Sequence, residues 1–435
     1  MKLSKKEMLL ISFMLFSLFF GAGNLIFPPF LGQNAADHTV ISFIGFLLTA
    51  VLLPVLGVIV VAEFNGLNNL ASRVNAKFAI IFTIIVYLAI GPGLGIPRAA
   101  SVPFEMAISP YLPEGFSFRI SMFVYSAVFF SVACWLALTP RKLVSRIGKF
   151  LTPSLLILLV FLFTNFVFRG EKVVGEALDV YVNSGLAQGF IDGYQTMDTI
   201  AALNFGLVIS ITLKGFKLKE KRDIMKYTVR AGIFAGTILS LVYMMLAYIG
   251  VYTAGVAGVQ ANGALILRYV VYELFGNGGA VLLALIFTLA CLTTCVGLIN
   301  SISQFFTTIF RGLNYRQWVF AIVIGSFLIC NLGLNTILSI SLPVLDMVYP
   351  VSIVLIVLGL LDKHIKNNRF MYPVVIFSVA FISIVFALSK LGVATEFINN
   401  VFSILPFFSI GMGWAAVAVI AVIVSIILNK LDLRA

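Results

Sequence analysis

Two runs of glycine and polar residues interrupt long apolar stretches of this 435-residue chain, at residues 21–24 and 193–198. Glycine costs about 1 kcal/mol relative to alanine inside a helix, so each run is predicted to break one. The first is followed by Pro28 and Pro29, which also disfavour a continuous helix. Freed backbone amides attract a carboxylate, and freed carbonyls suit an ammonium group or Na⁺. The alternative is that the glycines only allow two helices to pack closely.

The two runs together are predicted to bind a zwitterionic amino acid, which needs both kinds of backbone group. No Lys, Arg, Asp or Glu follows Glu7 in the first apolar stretch, whereas Phe20 and Phe27 flank the break. An apolar pocket of this kind favours an aliphatic side chain. The residues predicted to bind substrate are Gly21, Ala22, Gly23, Asn24, Gly193, Tyr194, Gln195, Thr196, Met197 and Asp198.

Metal and hydrolytic chemistry lack the residues they need. Cys291 and Cys295 are four residues apart, but no histidine or carboxylate accompanies them, so we interpret them as packing residues. His38 and His364 belong to no zinc pattern. The chain has no phosphate-binding P-loop, and we therefore expect neither an enzyme nor a cofactor.

The composition places these runs in a membrane. The chain is 61% hydrophobic and 11% charged, whereas soluble proteins carry about 25% charged residues. We predict an all-α polytopic protein that forms one transmembrane domain over residues 1–435, with the lipid bilayer as its surroundings. Its twelve predicted spans are 8–31, 40–62, 78–95, 120–138, 151–168, 187–213, 231–252, 280–310, 318–330, 336–361, 372–388 and 402–428.

The positive charges give an orientation. Of the 29 lysines and arginines, 23 fall in segments that alternate on the side of both termini, and 6 fall on the other side. The positive-inside rule then places both termini in the cytoplasm. The net charge of +12 is thereby explained by topology. The connectors 169–186 and 253–279 are expected to be short and to contain no soluble domain.

The positions of the two breaks predict an inverted repeat. They fall in spans 1 and 6, and interrupted helices at matching positions of two halves are typical of secondary transporters. We therefore expect residues 8–168 and 187–361 to form two five-span repeats, with spans 11 and 12 (372–428) outside them. A channel would instead require a continuous polar lining.

Several motifs resemble the bacterial branched-chain amino acid:cation symporter family. They are residues 16–29 (FSLFFGAGNLIFPP), Gly95-Ile96-Pro97-Arg98 with Phe104-Glu105, residues 193–198, and Pro343-Val344-Leu345-Asp346 with Tyr349-Pro350. The resemblance covers essentially the whole chain. It implies import of leucine, isoleucine and valine across a bacterial cytoplasmic membrane, coupled to Na⁺ or H⁺, by alternating access in the leucine-transporter-type fold. The alternative is a proton-coupled transporter of other neutral amino acids.

The same resemblance implies a Na⁺ site between spans 1 and 8. The carbonyls of Ser17, Phe20 and Ala290, with the hydroxyls of Thr293 and Thr294, take the ligand positions. Five neutral oxygens suit a hard cation without a buried charge. The alternative is that both threonines only bond to carbonyls of their own helix.

The resemblance also directs attention to an outer gate. Many members of the wider fold pair an arginine after the first break with an acid in span 10, but here the first position is Phe27. Asp346 remains, and Arg98 is its candidate partner. Arg98 and Glu105 are seven residues apart and would share a helix face. A solvated pair at the membrane surface is the alternative.

The coupling ion depends on the acids in the spans, which are Asp192, Asp198 and Asp346. Asp198 could hold the substrate ammonium, contribute to a second cation site, exchange a proton, or simply cap the second half-helix. Proton-coupled relatives in the wider fold can carry a lysine in span 5. This chain has none there beyond Lys149, so Na⁺ is favoured over H⁺.

Overall fold

The computed structural model describes residues 3–113, 115–139, 144–216, 218, 220–310, 312–365, 367–393, 395–408 and 410–432. Its regular elements in those ranges are all helical. The α-helices are α1 (Lys5–Phe19), α2 (Ala22–Ala35), α3 (Thr39–Leu47), α4 (Leu53–Glu63), α5 (Leu67–Ala71), α6 (Ala76–Leu88), α7 (Gly95–Ala107), α8 (Phe118–Ala137), α9 (Thr152–Arg169), α10 (Asp179–Tyr194), α11 (Asp198–Gly215), α12 (Lys221–Ala257), α13 (Gly263–Phe275), α14 (Gly279–Ile309), α15 (Tyr315–Cys330), α16 (Leu334–Ile365), α17 (Met371–Lys390), α18 (Thr395–Phe402) and α19 (Gly413–Asp432). Short π-helical turns at Leu48–Leu52, Ala89–Gly93 and Val144–Leu151 precede α4, α7 and α9.

Ten helical segments of the described chain are long and apolar enough to cross a membrane, and α15 is a shorter apolar helix. The prediction of an all-α polytopic membrane protein is confirmed. Large apolar side chains are exposed on the outer helices, among them Ile120 at 67% and Ile423 at 53%, as expected of a surface that faces lipid. The count differs from the twelve predicted spans partly because α1 has 15 residues and α15 has 16, short of a full crossing.

One predicted connector contains a helix, and the predicted start of span 12 was wrong. The connector 253–279 contains α13, whose first turn is capped by Asn262, since the side chain accepts a hydrogen bond from the Leu265 amide at 3.1 Å. This helix packs against α2 and α14. Span 12 was expected to start at residue 402, but α18 ends there and α19 begins only at Gly413, after a turn with Gly411 at φ +76°.

Both predicted helix breaks are present. α1 ends at Phe19 and α2 begins at Ala22, while α10 ends at Tyr194 and α11 begins at Asp198. Met197 adopts the left-handed conformation (φ 68°) that separates α10 from α11. Pro28 and Pro29 lie inside α2 and do not end it.

A third interruption lies between α6 and α7. Gly91 has non-helical backbone angles (φ −90°, ψ −126°), and α7 begins at Gly95. The sequence Gly91-Pro92-Gly93-Leu94-Gly95 carries the signal, because glycine and proline both disfavour a continuous helix. Its consequence is that the first turn of α7 starts inside the protein.

Charged residues pair at the helix ends. Arg73 lies 2.7 Å from Asp362, Lys363 lies 3.6 Å from Glu63, and Arg369 pairs with Asp432, so loops predicted to share one face of the membrane contact each other. The positive residues Lys2, Arg141, Lys142, Lys217, Lys219, Arg311, Lys366 and Arg434 lie outside the described residues.

Candidate functional site

The two interrupted spans meet at their breaks. A Cβ atom on Gly23 would lie 3.1 Å from the Cα atom of Thr196 and 3.2 Å from the Gln195 carbonyl oxygen. That spacing is tighter than ordinary van der Waals contact, so glycine at position 23 allows the start of α2 to approach the end of α10. The juxtaposition brings backbone from both breaks to one place in the protein interior.

Asp198 is the centre of a buried hydrogen-bond network at this junction. Its Oδ2 atom accepts from Asn24 Nδ2 at 2.6 Å and from the Tyr243 hydroxyl at 2.9 Å. Asn24 also donates to the Tyr243 oxygen, and its Oδ1 atom accepts from the Gly21 amide at 2.8 Å. Asp198 is 2% exposed and Asn24 1%. The side chain of Asn24 therefore connects the break in span 1 to the acid in span 6.

The structure agrees only in part with the alternative that Asp198 caps α11. Asp198 is the first residue of α11, so its carboxylate lies at the positive end of the helix dipole. Among the described residues, however, its side-chain oxygen bonds to Asn24 and Tyr243 rather than to amides of α11. The carboxylate is thus held across the junction by two other helices.

Sequence reasoning did not identify Tyr243. It lies within α12, which also carries Tyr248 and Tyr252. A tyrosine hydroxyl within an apolar span indicates a candidate functional group, but three tyrosines of the span 231–252 carry one. Only the packing of α12 against α2 and α11 selects Tyr243 as the one that contacts Asp198.

Four of the five predicted cation ligands, Ser17, Ala290, Thr293 and Thr294, come together. Thr293 Oγ1 donates to the Ser17 carbonyl at 3.1 Å and to the Ala290 carbonyl at 2.9 Å, and Thr294 Oγ1 donates to the Ser17 carbonyl at 3.2 Å. Thr294 Oγ1 also lies 3.4 Å from the Ala290 carbonyl. Phe20 ends α1 in extended backbone (φ −74°, ψ 93°), so its carbonyl is outside the helical ladder.

Two carbonyls and two hydroxyls within hydrogen-bond distance are a donor set that suits a hard cation. The bonds of both threonines to Ala290 agree with the alternative of bonding to their own helix. Their bonds to Ser17, 276 and 277 residues away, go beyond it. Cys291 and Cys295, which the sequence analysis interprets as packing residues, are fully buried in the hydrophobic core.

The predicted gate pairing between Arg98 and Asp346 is not made in this structure. Asp346 pairs instead with Lys390 at the end of α17, at 2.7 Å. Arg98 is 6% exposed and lies in the first turn of α7, where Nη1 is 3.2 Å from the Met197 sulfur. Its guanidinium carbon lies 5.6 Å from the centre of the Phe27 ring. The break before α7 places Arg98 beside the span 6 break, where Met197 lies, and Asp346 has its partner elsewhere.

Glu105 and Arg98 share α7 but have different partners. Glu105 Oε1 accepts a hydrogen bond from the Leu334 amide at 2.8 Å. Leu334 is the first residue of α16, so Glu105 caps that helix and places negative charge at its positive end. Its role in this structure is to join α7 to α16.

A small cavity is lined by residues of both breaks, by Arg98 and by Thr294 of the cation cluster. Its polar lining includes Asn24, Arg98, Thr196, Asp198 and Thr294, and its apolar lining includes Ile90 and Leu298. Of the residues predicted to bind substrate, those that line it are Gly21, Ala22, Gly23, Asn24, Thr196, Met197 and Asp198.

The other three residues predicted to bind substrate lie beside this cavity. Tyr194 stacks on Tyr349 with ring centres 4.6 Å apart and lines a separate cavity near the Asp346–Lys390 pair. The carbonyl of Gly193 accepts from the Thr196 hydroxyl at 2.8 Å, and Gln195 forms the C-cap of α10.

A polytopic helical protein with interrupted helices that meet at a buried polar cavity has the features of a membrane transporter. Residues 4–432 match the family model described as branched-chain amino acid transport protein. The chain belongs to this family, so it is a transporter and not an enzyme, as the sequence motifs predicted.

Its relatives match along nearly their whole length. The branched-chain amino acid transport system 2 carrier protein of Pseudomonas aeruginosa is 39% identical over 429 residues, which cover 98% of this chain and 96% of the relative. The branched-chain amino acid permease BrnQ of Bacillus subtilis is 37% identical over 431 residues, 98% of each chain.

Proposed function

We propose that this protein imports leucine, isoleucine and valine across a bacterial cytoplasmic membrane by symport with Na⁺. The family and the names of the relatives support the substrate class. The single observation that carries the mechanism is the convergence of both interrupted spans on one cavity, where Asn24 and Asp198 in its lining share a hydrogen bond. The substrate occupies this cavity when it opens.

The apolar lining fits an aliphatic side chain. Ile90, Ala201 and Leu298 provide hydrocarbon surface on the cavity wall. A leucine, isoleucine or valine side chain gains about 25 cal/mol for each Å² it removes from water there. A charged substrate side chain would have to lose its hydration on this apolar surface, which is unfavourable.

Na⁺ binds between α1 and α14 in this proposal. The support is the cluster of the Ser17 and Ala290 carbonyls with the hydroxyls of Thr293 and Thr294. Because a Cβ atom on Gly21 would lie 3.2 Å from Thr294 Oγ1, the cluster adjoins the span 1 break. A cation there stabilises the conformation of the break that binds substrate, so cation binding and substrate binding are coupled. Proton exchange on Asp198 is the competing route.

The proposed architecture is twelve spans in a 5+5 inverted repeat with both termini in the cytoplasm. Its support is an exchanged packing pattern. α2, the second half of span 1, packs on α12 of span 7, while α11, the second half of span 6, packs on α4 of span 2. If spans 1 and 2 of the first repeat correspond to spans 6 and 7 of the second, the α2–α12 contact corresponds to the α11–α4 contact. Alternating access then proceeds by rocking of one group of spans around the site.

The test is uptake of radiolabelled leucine into proteoliposomes, with Na⁺ and pH gradients imposed separately. We expect accumulation under a Na⁺ gradient at equal pH on both sides. Accumulation under a pH gradient without Na⁺ would identify H⁺ as the coupling ion. A leucine flux that never exceeds equilibrium would indicate a channel.

A variant tests the cation ligands in the same assay. Thr294→Ala removes one ligand, and we expect the Na⁺ concentration for half-maximal uptake to rise about tenfold. Thr237→Ala is the matched control, because that exposed hydroxyl on α12 bonds only to the Ile233 carbonyl of its own helix among the described contacts, at 2.9 Å. Equal Na⁺ dependence in both variants would remove the site from α14.

A further inference from the structure

Arg98 is a buried cation without an anionic partner among the described residues. Its side chain contacts the Met197 sulfur at 3.2 Å and the Phe27 ring face at 5.6 Å, and neither neutralises a full positive charge. The two acids that sequence reasoning considered as partners are engaged elsewhere, since Asp346 pairs with Lys390 and Glu105 caps α16. Burying an uncompensated charge is costly, so a charge of opposite sign is expected to complete this site.

Asp198 lines the same cavity and is a buried acid without a cationic partner among the described residues. Its carboxylate accepts from Asn24 and Tyr243, both neutral donors, and no cationic group of the described chain forms an ion pair with it. Arg98 and Asp198 both line the cavity, yet they are not joined by a salt bridge within the 4.0 Å that defines one. Within the described part of the chain, the cavity wall therefore has a positive group and a negative group that form no ion pair.

The backbone adds to the positive potential beside Arg98. α7 begins at Gly95, which also lines the cavity, so the positive end of this helix dipole lies at the same wall. The break at residues 91–95 is what allows a helix to start inside the membrane at this place. Guanidinium and amide groups together favour a carboxylate over any neutral ligand.

We propose that Arg98 binds the α-carboxylate of the transported amino acid, while Asp198 binds its α-ammonium group. This inference rests on the proposed function only in taking an amino acid as the ligand. It assigns Arg98 to substrate binding rather than to a gate with Asp346. Asn24 and Tyr243 become positioning residues, because they hold the Asp198 carboxylate through their hydrogen bonds.

The arrangement explains a selection for zwitterions. The ligand's two charged groups are both compensated, and the remaining lining near Ile90, Ala201 and Leu298 offers nothing to a third charge. A ligand that lacks either charge would leave Arg98 or Asp198 buried and unpaired, which lowers its affinity.

The experiment measures displacement of radiolabelled leucine from the purified full-length protein in nanodiscs, by leucine and by leucinamide. Leucinamide keeps the ammonium group and replaces the carboxylate by a neutral amide. For the wild-type protein we expect leucinamide to bind about 100-fold more weakly than leucine, because the charge-assisted bonds to Arg98 are lost.

In Arg98→Gln we expect leucine to weaken about 100-fold and leucinamide to weaken less than about threefold, so that the discrimination between them collapses. Where the variant binds leucine too weakly for displacement, unlabelled ligands are compared by the shift they cause in Tm. Arg98→Lys retains the charge without the planar fork, and its discrimination is expected to be intermediate. Arg268→Gln, on α13 against Tyr111, is the matched control and should leave both affinities unchanged.

Equal weakening of leucine and leucinamide in a folded Arg98→Gln would overturn the assignment, because a residue that acts only on packing or gating affects both ligands alike. Retained discrimination in Arg98→Gln would overturn it as well. If Arg98→Gln does not fold, the same comparison is made with Arg98→Lys, where unchanged discrimination is the contrary result.

A panel of neutral amino acids separates this inference from the proposed function. Preference of the wild-type protein for an amino acid other than leucine, isoleucine or valine would refute the proposed substrates, and the Arg98 comparison would then be made with that ligand and its amide. Failure to bind any amino acid would refute both.

Discussion

The side chain of Tyr243 joins two interrupted spans that are far apart in the sequence. Its hydroxyl donates to Asp198 at 2.9 Å and receives a hydrogen bond from Asn24, which itself follows the break in span 1. A hydroxyl that is fully buried and bonded to a carboxylate fixes the position of that carboxylate more than it adds to global stability. If Asp198 binds the substrate as proposed, substrate affinity is expected to depend on the Tyr243 hydroxyl.

Replacing Tyr243 by Phe tests this dependence. The ring remains, but Asp198 loses one donor, and hydrogen bonds to charged groups contribute about 1.5–3 kcal/mol. We expect the Kd for leucine to rise about tenfold or more, with little change in Tm, measured by ligand displacement in nanodiscs. Tyr248→Phe on the same helix is the control, since its ring packs on Phe163 away from the junction. An unaltered Kd in Tyr243→Phe would show that Asp198 needs no positioning by this hydroxyl.

At the scale of elements, the proposed function depends on half-helices that end at the candidate site. α1 and α10 stop at the site, and α2, α11 and α7 begin there. Each start supplies free amides and each end supplies free carbonyls, which an uninterrupted helix would use in its own ladder. α2 packs on α12 and α11 packs on α4, so the second half of each interrupted span packs on a helix of the other predicted repeat.

Gly23→Ala tests how closely the breaks must approach. The added methyl carbon would lie 3.1 Å from the Thr196 Cα atom, and overpacking of this kind costs about 1–3 kcal/mol. We expect leucine binding to weaken at least about tenfold, read as a smaller leucine-induced rise in Tm.

Gly325→Ala on α15 provides the control, because the nearest heavy atom to its new methyl group is Pro92 Cβ at 3.9 Å. Both variants should fold. A full leucine-induced shift in Gly23→Ala would mean that the two breaks tolerate separation.

At the scale of the whole molecule, the charged loops are proposed to set the orientation of the helices in the membrane. The pairs Arg73–Asp362 and Lys363–Glu63 lie at one end, and they connect loops that are predicted to be cytoplasmic. Pairs exposed in this way contribute about 0–1 kcal/mol each. Orientation therefore follows from the summed positive charge of the loops rather than from any single pair.

Single cysteines test this orientation. Cys134 is 8% exposed and the other three native cysteines are fully buried, so reaction of the wild-type protein with a membrane-impermeant maleimide should be weak. We expect Glu176→Cys, in an exposed connector predicted to lie outside, to react on intact cells. Ser72→Cys, exposed and predicted to lie inside, should react only after permeabilisation. The reverse pattern would invert the proposed topology.

The sequence by itself determined the membrane class, the family and the positions of the two main breaks. These are local properties: glycine and polar residues lower helix stability where they stand, and apolar runs of about 20 residues fit a bilayer whatever they pack against. The hydroxyls and carbonyls of the candidate cation cluster could also be named, because spans 1 and 8 resemble those of sodium-coupled members of the wider fold.

Only the tertiary structure decided which groups meet. Asn24 and Asp198 are 174 residues apart, and their contact depends on how several helices pack, which no local pattern records. The same holds for Lys390 as the partner of Asp346 and for Tyr243 among the three tyrosines of the apolar span 231–252. Arg98 illustrates the difference most clearly, since the sequence suggested Asp346 or Glu105 as its partner and both acids bind elsewhere. Packing instead places it in the cavity without an anionic partner among the described residues, where a charged ligand is proposed to neutralise it.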